Sequence, residues 1–91
     1  MAGKARMKIV FAPSFLKDQD KLPSGIYEKF VERRNVFMEN QFHPILQNHA
    51  LHREYQGCRS INVTGNYRAI FYIKDDLFVF IRIGTHPQLY G

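Results

Sequence analysis

Three short runs of β-branched and aromatic residues near the carboxyl terminus constrain the fold more than any other feature of this chain. They span residues 58–64, 67–74 and 77–83. Residues of this kind favour strands, and the separating dipeptides Gly65-Asn66 and Asp75-Asp76 are typical of tight reversals between antiparallel neighbours. The second half of the chain is therefore predicted to contain a three-stranded antiparallel meander.

The first forty residues add one strand and two helices. Residues 7–11 are predicted to form a strand, which Pro13 stops because proline removes a ladder donor. Residues 14–22 are predicted to form a short surface helix. From Ser24, a good N-cap, to about Asn40, apolar residues recur at helical spacing, which predicts a long amphipathic helix. The predicted fold class is α+β in the order β-α-α-β-β-β, with two helices packed on one face of a mostly antiparallel sheet that includes the first strand.

The remaining segments set the limits of the domain. Ninety-one residues make a single domain, residues 1–91, of which residues 1–6 are interpreted as a frayed lead-in. Residues 41–53 lack clean periodicity and contain Pro44, so we predict a loop with one short helical turn at most. Three of the four histidines lie in this loop.

Composition limits the cellular compartment in which the protein works and the classes of ligand it binds. Thirteen Lys and Arg against eight Asp and Glu give a formal charge of +5, which attracts polyanions over long range. Cys58 is the only cysteine and cannot form an internal disulfide, and no Cys/His spacing typical of zinc ligands is present, so neither a disulfide scaffold nor a structural zinc site is supported. A reducing, cytoplasmic compartment fits best. The apolar stretch after the basic start is interrupted by Pro13 and is too short for a secretory segment or a membrane span.

Strand alternation indicates the face of the sheet where chemistry could occur. Along the last strand it predicts Leu77, Val79, Ile81 and Ile83 on one side, and Phe78, Phe80 and Arg82 on the other. On the preceding strands the same rule groups Ser60, Asn62 and Thr64, and then Arg68, Ile70 and Tyr72. We therefore expect polar and cationic side chains to gather on a helix-free face, which is the candidate site.

The carboxyl-terminal tail has an unusual composition. Gly84 is predicted to end the last strand, and the run around it, residues 82–91, keeps His86, Leu89 and Tyr90 where disorder would favour small polar residues. We expect this tail to be tied down on the domain. In one interpretation Leu89 and Tyr90 dock the tail and His86 caps a turn, and in the other His86 takes part in chemistry.

The motifs of the second half, taken together, resemble a known family. They are Asn48-His49-Ala50-Leu51, Gly57-Cys58-Arg59, Tyr67-Arg68-Ala69-Ile70-Phe71-Tyr72, Asp75-Asp76-Leu77, Arg82-Ile83-Gly84-Thr85-His86 and Leu89-Tyr90-Gly91. At this spacing the set resembles the YafQ-like branch of the RelE/ParE toxin superfamily, whose members are mRNA interferases of type II toxin–antitoxin systems. The match runs without gaps from His49 to the end, whereas the first half resembles the family only in the order of its elements.

The resemblance implies a RelE-like fold and a toxin that cleaves mRNA, in the ribosomal A site, without metal or cofactor. In that mechanism the 2′-hydroxyl attacks the adjacent phosphate, which requires a base, an acid and cations to stabilise the phosphorane charge. The resemblance assigns His86 as general acid and His49 as base or orienting partner, since histidine titrates near neutrality. The implied cations are Arg59 and Arg82 at the catalytic centre and Arg68 at the substrate. The resemblance implies that Tyr90 positions a nucleobase of the RNA by stacking on it. In the alternative interpretation Tyr90 only anchors the tail in the core.

Three positions depart from the YafQ-like pattern. Asn62 stands where the pattern has histidine and Asn66 where it has aspartate, and an amide cannot transfer a proton at neutral pH. Tyr67 replaces a tryptophan and keeps a surface on which a base can stack. We expect all three to bind substrate, with weakened activity. His52 either joins the same pocket or is an exposed loop histidine.

Two other functions remain open at this point. A ParE-like protein shares the fold but poisons DNA gyrase by binding alone, and such an inhibitor does not need the histidine of Gly84-Thr85-His86. A catalytically decayed, toxin-like binding protein would explain Asn62 and Asn66. For the nuclease we expect mRNA and a cognate antitoxin as partners, no membrane association, a monomer when free and a hetero-oligomer with the antitoxin.

Overall fold

The computed structural model describes residues 7–91, and the lead-in predicted for residues 1–6 lies outside them. The strands are β1 (Lys8–Phe11), β2 (His49–Ala50), β3 (Arg59–Asn62), β4 (Tyr67–Lys74) and β5 (Leu77–Thr85). The helices are α1 (Pro13–Gln19), α2 (Ile26–Glu39) and α3 (His86–Tyr90), with 3₁₀ turns at Pro44–Leu46 and Arg53–Tyr55. The α+β class is confirmed, and the structure adds the two-residue strand β2 and helix α3 to the predicted order.

All five strands form one sheet in the order β1-β5-β4-β3-β2. Strands β3, β4 and β5 make the predicted antiparallel meander, and β2 adds an antiparallel edge. Strand β1 pairs in parallel with β5, with Lys8 opposite Leu77 and Phe11 opposite Phe80. Parallel neighbours need a long connection, because the chain must return to the end of the sheet where it started. Here the connection between β1 and β5 contains α1, α2 and the other three strands. The sheet is mostly antiparallel, as predicted.

The two N-terminal helices pack on the same face of the sheet. α1 contributes Phe15 to the core, and α2 contributes Phe30 and Phe37, which lie two helical turns apart on one side of the helix. The predicted N-cap Ser24 is wrong, because the N-cap of α2 is Gly25, whose φ of +90° is a left-handed conformation that glycine adopts without a Cβ penalty. Among residues 7–91, no helix has the length and apolar character that crossing a membrane requires.

An irregularity in β5 overturns the alternation predicted for that strand. Ile70 of β4 lies opposite Arg82 and Phe71 lies opposite Phe80, so Ile81 is an extra residue on β5. A bulge of this kind shifts the side-chain alternation by one position. The β5 residues that join the core under the helices are therefore Phe78, Phe80 and Ile83, while Ile81 packs on the opposite face.

Aromatic rings fill the space between the helices and the sheet. The fully buried phenylalanines are Phe15, Phe30, Phe37, Phe71 and Phe80. The ring of Phe37 meets Phe78 edge-on at a centroid distance of 4.7 Å and Phe71 at 5.1 Å. Aromatic pairs at these separations add to the stabilisation from burial. This cluster attaches both helices to the sheet.

The opposite face is not helix-free, contrary to the prediction. α3 folds back over it, and Leu89, which is 5% exposed, packs with Leu51 and Ile70. Tyr55, Cys58, Ile81 and Tyr90 surround this smaller cluster. Partial burial there raises the pKa of the Cys58 thiol. The tail is tied down, as expected, and the polar groups of β2, β3 and β4 lie beside it.

Candidate active site

Three of the residues selected from the sequence share one face of the sheet. His49 lies opposite Ser60, and Asn62, two positions along β3, lies opposite Arg68. Directly opposed residues of antiparallel strands point to the same face, as do residues i and i+2 of one strand. Ile70 also lies on this face and packs in the α3 cluster. His49, Asn62 and Arg68 therefore form a polar group beside α3.

Gln47 joins His49 to Asn62. The Asn62 Nδ2 donates to Gln47 Oε1 at 2.9 Å, and His49 Nδ1 lies 2.8 Å from the Gln47 carbonyl oxygen. A carbonyl can only accept, so Nδ1 carries the proton in this contact and Nε2 of the neutral ring keeps its lone pair. Gln47 itself has φ +47°, a left-handed conformation uncommon for a residue with a side chain. This turn leaves a basic ring nitrogen available to a ligand.

Arg68 is the cation of this polar group. Its Nη1 donates to the carbonyls of Thr64 and Gly65, each at 3.1 Å, in the turn between β3 and β4. Among residues 7–91, its Nε and Nη2 have no hydrogen-bond partner. The turn therefore fixes one end of the guanidinium and leaves the other donors free for an anion.

His86 begins α3, and the end of β5 determines where it lies. Thr85 Oγ1 accepts from Gln88 N while Gln88 Oε1 accepts from Thr85 N at 2.8 Å, which makes a capping box. Gly84 does not end β5 as predicted, because the strand continues to Thr85. A Cβ at Gly84 would lie 2.9 Å from Gln88 Oε1. The His86 side chain is exposed, and its ring stacks on Tyr90 with centroids 4.6 Å apart.

The two histidines lie on either side of Arg68. On β4, Arg68 lies between Asn62 of β3 and Gly84 of β5. Neighbouring strands are about 4.8 Å apart, so roughly 14 Å separates the backbone of β2, which carries His49, from that of β5, which ends one residue before His86. In register, His49 lies opposite Ser60, two residues along β3 from the Asn62 that pairs with Arg68, and His86 follows Gly84, the β5 partner of Arg68, by two residues. In strand order, Arg68 thus lies on β4, between the element that carries His49 and the strand that His86 follows.

Tyr90 packs against Tyr55 and His86. Its ring meets Tyr55 edge-on at 5.2 Å and is tilted against His86. Desolvation raises the pKa of the Tyr90 phenol, and the nearby Tyr55, Glu54 and Cys58 add to the effect. Tyr90 therefore packs against the His86 ring as an uncharged aromatic side chain.

Arg82 is bound to Asp18 of α1. Its Nε donates to Asp18 Oδ2 at 2.6 Å and its Nη2 to Oδ1 at 3.3 Å. The same carboxylate accepts from the Ile83 amide at 3.0 Å. The hydrogen bond that Arg82 donates to Asp18 raises the pKa of the Arg82 guanidinium above its ordinary value. The charge of Arg82 is thus compensated within the protein, unlike that of Arg68.

Arg59 lies on the face opposite to His49. It is paired with Phe71, whose ring belongs to the helix-covered core. Its Nε donates to Asn48 Oδ1 at 2.7 Å, and its guanidinium carbon lies 5.6 Å from the Phe42 ring centroid. These contacts hold the segment that precedes β2, so Arg59 supports the backbone of His49 rather than facing the same ligand.

The other predicted substrate-binding residues are dispersed. Tyr67 packs toward the helix-covered core and lines a cavity of about 240 Å³ with Asp18, Lys21, Leu22, Arg82, Ile83 and Gln88. Asn66 is exposed in the turn next to Arg68, and its backbone amide donates to Thr64 Oγ1. His52 is exposed and precedes the 3₁₀ turn at Arg53–Tyr55. Of the three, Asn66 alone adjoins the polar group. Within residues 7–91, no three His, Cys, Asp or Glu side chains converge as metal ligands do.

Sequence reasoning missed three residues that organise this site. Gln47 orients His49, Asp18 holds Arg82, and Tyr55 contacts both Arg82 and α3. Asp18 lies in the surface helix predicted for residues 14–22, where a charged side chain is expected to face water. Gln47 and Tyr55 lie in segments without periodicity, and the partners of Tyr55 are distant in sequence, so no local signal marks them.

Comparison with known proteins gives a consistent result. Residues 9–90 match the family model described as ParE toxin of type II toxin–antitoxin system, parDE. The structure of YafQ from E. coli strain BL21(DE3) is similar with a TM-score of 0.76 and 23% identity, covering 93% of this chain and 99% of that one. The E. coli DinJ–YafQ complex is similar with a TM-score of 0.74 and 24% identity, covering 93% of this chain and 99% of that one. The RelBE2 toxin–antitoxin complex of Mycobacterium tuberculosis is similar with a TM-score of 0.70 and 24% identity, covering 89% of this chain and 99% of that one. No curated protein matches significantly.

Proposed function

The chain belongs to the ParE toxin family of type II toxin–antitoxin systems, and we propose that it acts as a metal-independent endoribonuclease that cleaves mRNA. The observation that carries the proposal is the contact of His49 Nδ1 with the Gln47 carbonyl, which leaves a basic nitrogen free on the face that holds Arg68. A toxin that acts by binding alone has no use for a histidine oriented in this way.

The first half of the reaction uses His49 as general base. Its Nε2 removes the proton from a ribose 2′-hydroxyl, and the oxygen attacks the adjacent phosphorus. The bond to the 5′ oxygen of the next nucleotide then breaks, so the products are a 2′,3′-cyclic phosphate and a 5′-hydroxyl. Asn62, held by Gln47, hydrogen-bonds the substrate beside this base without exchanging a proton.

The second half uses His86 as general acid. Its imidazolium gives a proton to the departing 5′ oxygen, after which the two histidines have exchanged protonation states. The free donors of Arg68 stabilise the added negative charge on phosphorus. Arg82 and Arg59, which are bound to Asp18 and Asn48, support the site from outside the reacting atoms.

The proposal extends to the partners. Tyr90 and Asn66 contact the bases of an RNA whose approach the net charge of +5 favours. The substrate is translated mRNA in the ribosomal A site, in the cytoplasm. The relatives DinJ–YafQ and RelBE2 were solved as toxin–antitoxin complexes. We therefore propose that this protein also binds a cognate antitoxin, which covers the site.

Induced expression in bacteria with mapping of RNA 5′ ends tests the function. Wild type should arrest growth and create new 5′-hydroxyl ends inside translated messages. His49→Ala and His86→Ala should each lower the cleavage rate by about 100-fold or more, the usual contribution of a general acid or base. The matched control is His43→Asn: His43 is exposed and its Nδ1 accepts from Ile45 N, a capping contact that asparagine can replace.

Two outcomes would contradict the proposal. Growth arrest that persists in His86→Ala without new RNA ends would identify a gyrase poison. A folded wild-type protein that produces neither arrest nor cleavage would identify Asn62 and Asn66 as marks of a decayed site.

A further inference from the structure

The helix that carries His86 cannot hold itself in place. α3 comprises only His86–Tyr90, and isolated helices below about 12 residues are marginal in water. Its amino-terminal end is closed by the capping box of Thr85 and Gln88. The orientation of the rest of α3, and therefore of the His86 ring stacked on Tyr90, depends on contacts with other parts of the chain.

Tyr55 supplies a contact at the carboxyl-terminal end of α3. Its hydroxyl donates to the Leu89 carbonyl oxygen at 2.8 Å. The last four carbonyls of any helix lack a donor within the helix, so this hydroxyl satisfies a group that α3 cannot satisfy itself. Leu89 is buried and the hydrogen bond itself is partly buried, so water competes for it less than for a bond at the surface.

The same hydroxyl is tied to the body of the domain. It accepts from Arg82 Nη1 at 3.3 Å, and Arg82 is held by two hydrogen bonds to Asp18. Asp18 also accepts from the Ile83 amide, which fixes its carboxylate to β5. A continuous chain of hydrogen bonds therefore connects α1 and β5 through Tyr55 to α3.

The Tyr55 ring makes a second contact with the same helix. It meets Tyr90 edge-on at 5.2 Å, and Tyr90 stacks on His86. Arg53, in the same 3₁₀ turn as Tyr55, has φ +60°, a conformation that costs free energy for a residue with a side chain. The turn that presents Tyr55 is thus maintained against local strain.

We propose that Tyr55 is a positioning residue, which holds α3 and with it the His86 ring in the orientation used at the candidate active site. Its effect on catalysis rests on the proposed ribonuclease activity. Tyr55 acts through Leu89 and Tyr90. Removing its hydroxyl alone loosens the helix and leaves the aromatic packing intact.

The substitution Tyr55→Phe isolates the hydroxyl. The His86 ring-proton shifts in NMR sense the neighbouring Tyr90 ring, and in this variant they should move toward the values of histidine in an unstructured peptide. With RNA as substrate, kcat should fall about fivefold, the factor that corresponds to one typical hydrogen bond, while KM stays within about twofold. Tyr27→Phe is the matched control, because Tyr27 is 41% exposed on α2 and its hydroxyl has no hydrogen-bond partner among residues 7–91.

The outcomes separate this inference from the proposed function. Unmoved His86 shifts in Tyr55→Phe overturn the inference whatever happens to kcat, and so do equal changes in Tyr27→Phe. Shifts that move only in Tyr55→Phe support it even if the wild type cleaves no RNA, a result that would overturn the ribonuclease proposal alone.

Discussion

Two histidines of this protein, His43 and His49, have opposite tautomers because they face opposite backbone groups. His43 Nδ1 accepts from the Ile45 amide at 3.1 Å, so the proton of the neutral ring is on Nε2. His49 Nδ1 faces the Gln47 carbonyl at 2.8 Å, so the lone pair is on Nε2. Both rings are exposed, and only His49 presents a basic nitrogen away from the backbone. A single backbone atom thus decides which histidine can act as a base.

Asn62→His is expected to raise the RNA cleavage rate at neutral pH about tenfold. The amide lies beside His49 and is linked to it through Gln47, so an imidazole there adds a proton-transfer group at the same place. Single-turnover cleavage of a short RNA measures the effect.

Asn62→Gln is the control for this gain, because it keeps an amide and should not accelerate cleavage. An equal or lower rate in Asn62→His would mean that proton transfer near Asn62 does not limit the reaction.

The edge of β5 shows how a helix can replace a strand. β1 pairs with β5 only as far as Phe80, and beyond that point α1 covers the edge. Ser14 Oγ donates to the Ile81 carbonyl at 2.6 Å, and Asp18 accepts from Ile83 N. Side chains of one short helix thus satisfy backbone groups that an exposed edge would offer to another chain.

Gly84→Ala is expected to destabilise the protein by about 1 kcal/mol, the usual cost of losing a helix cap. The new Cβ would meet Gln88 Oε1 at 2.9 Å and Gln88 Cβ at 3.3 Å. Gln88 cannot move away without breaking its 2.8 Å bond to Thr85 N. Urea unfolding measures the loss.

Gly65→Ala provides the comparison, since a Cβ there meets nothing within 4 Å. Its free energy of unfolding should stay within about 0.5 kcal/mol of the wild type. Equal losses in the two variants would show that the capping box of α3 is not responsible.

The domain as a whole is held by one aromatic cluster. With 91 residues the margin of stability is modest, on the order of 5–10 kcal/mol, so the loss of one large core ring removes a large part of it. Phe37 is central because it touches Phe71, Phe78 and Phe80, which belong to both long strands. Loosening it would separate α2 from the sheet.

Phe37→Ala is expected to cost about 3–5 kcal/mol, which leaves the protein close to unfolding at 25 °C. Phe42→Ala removes the same ring from a site that is 60% exposed and should cost less than about 1 kcal/mol, most of it from the Arg59 contact. Thermal unfolding followed by circular dichroism compares the two. Similar melting temperatures would contradict the central role of Phe37.

Local patterns in the sequence predicted the elements that local physics forms. The β-branched runs and turn dipeptides indicated the meander, and β4 was predicted at residues 67–74, its bounds in the structure. The spacing of apolar residues predicted α2, and the composition of the tail indicated that Leu89 would be tied down, which its burial confirms. These features depend on interactions between residues close together in the sequence, so the order of the residues is enough to predict them.

The tertiary structure decided what lies next to what. Alternation could not foresee the bulge at Ile81, because an extra residue is accommodated only when two strands are paired. Nor could it foresee that Asp18 neutralises Arg82 across 64 positions while Arg68 keeps free donors, or that Tyr55 contacts α3. The sequence by itself determined the elements and the residue types available for chemistry. Packing determined which of them meet, because hydrogen bonds between distant segments form only after the core has brought those segments together.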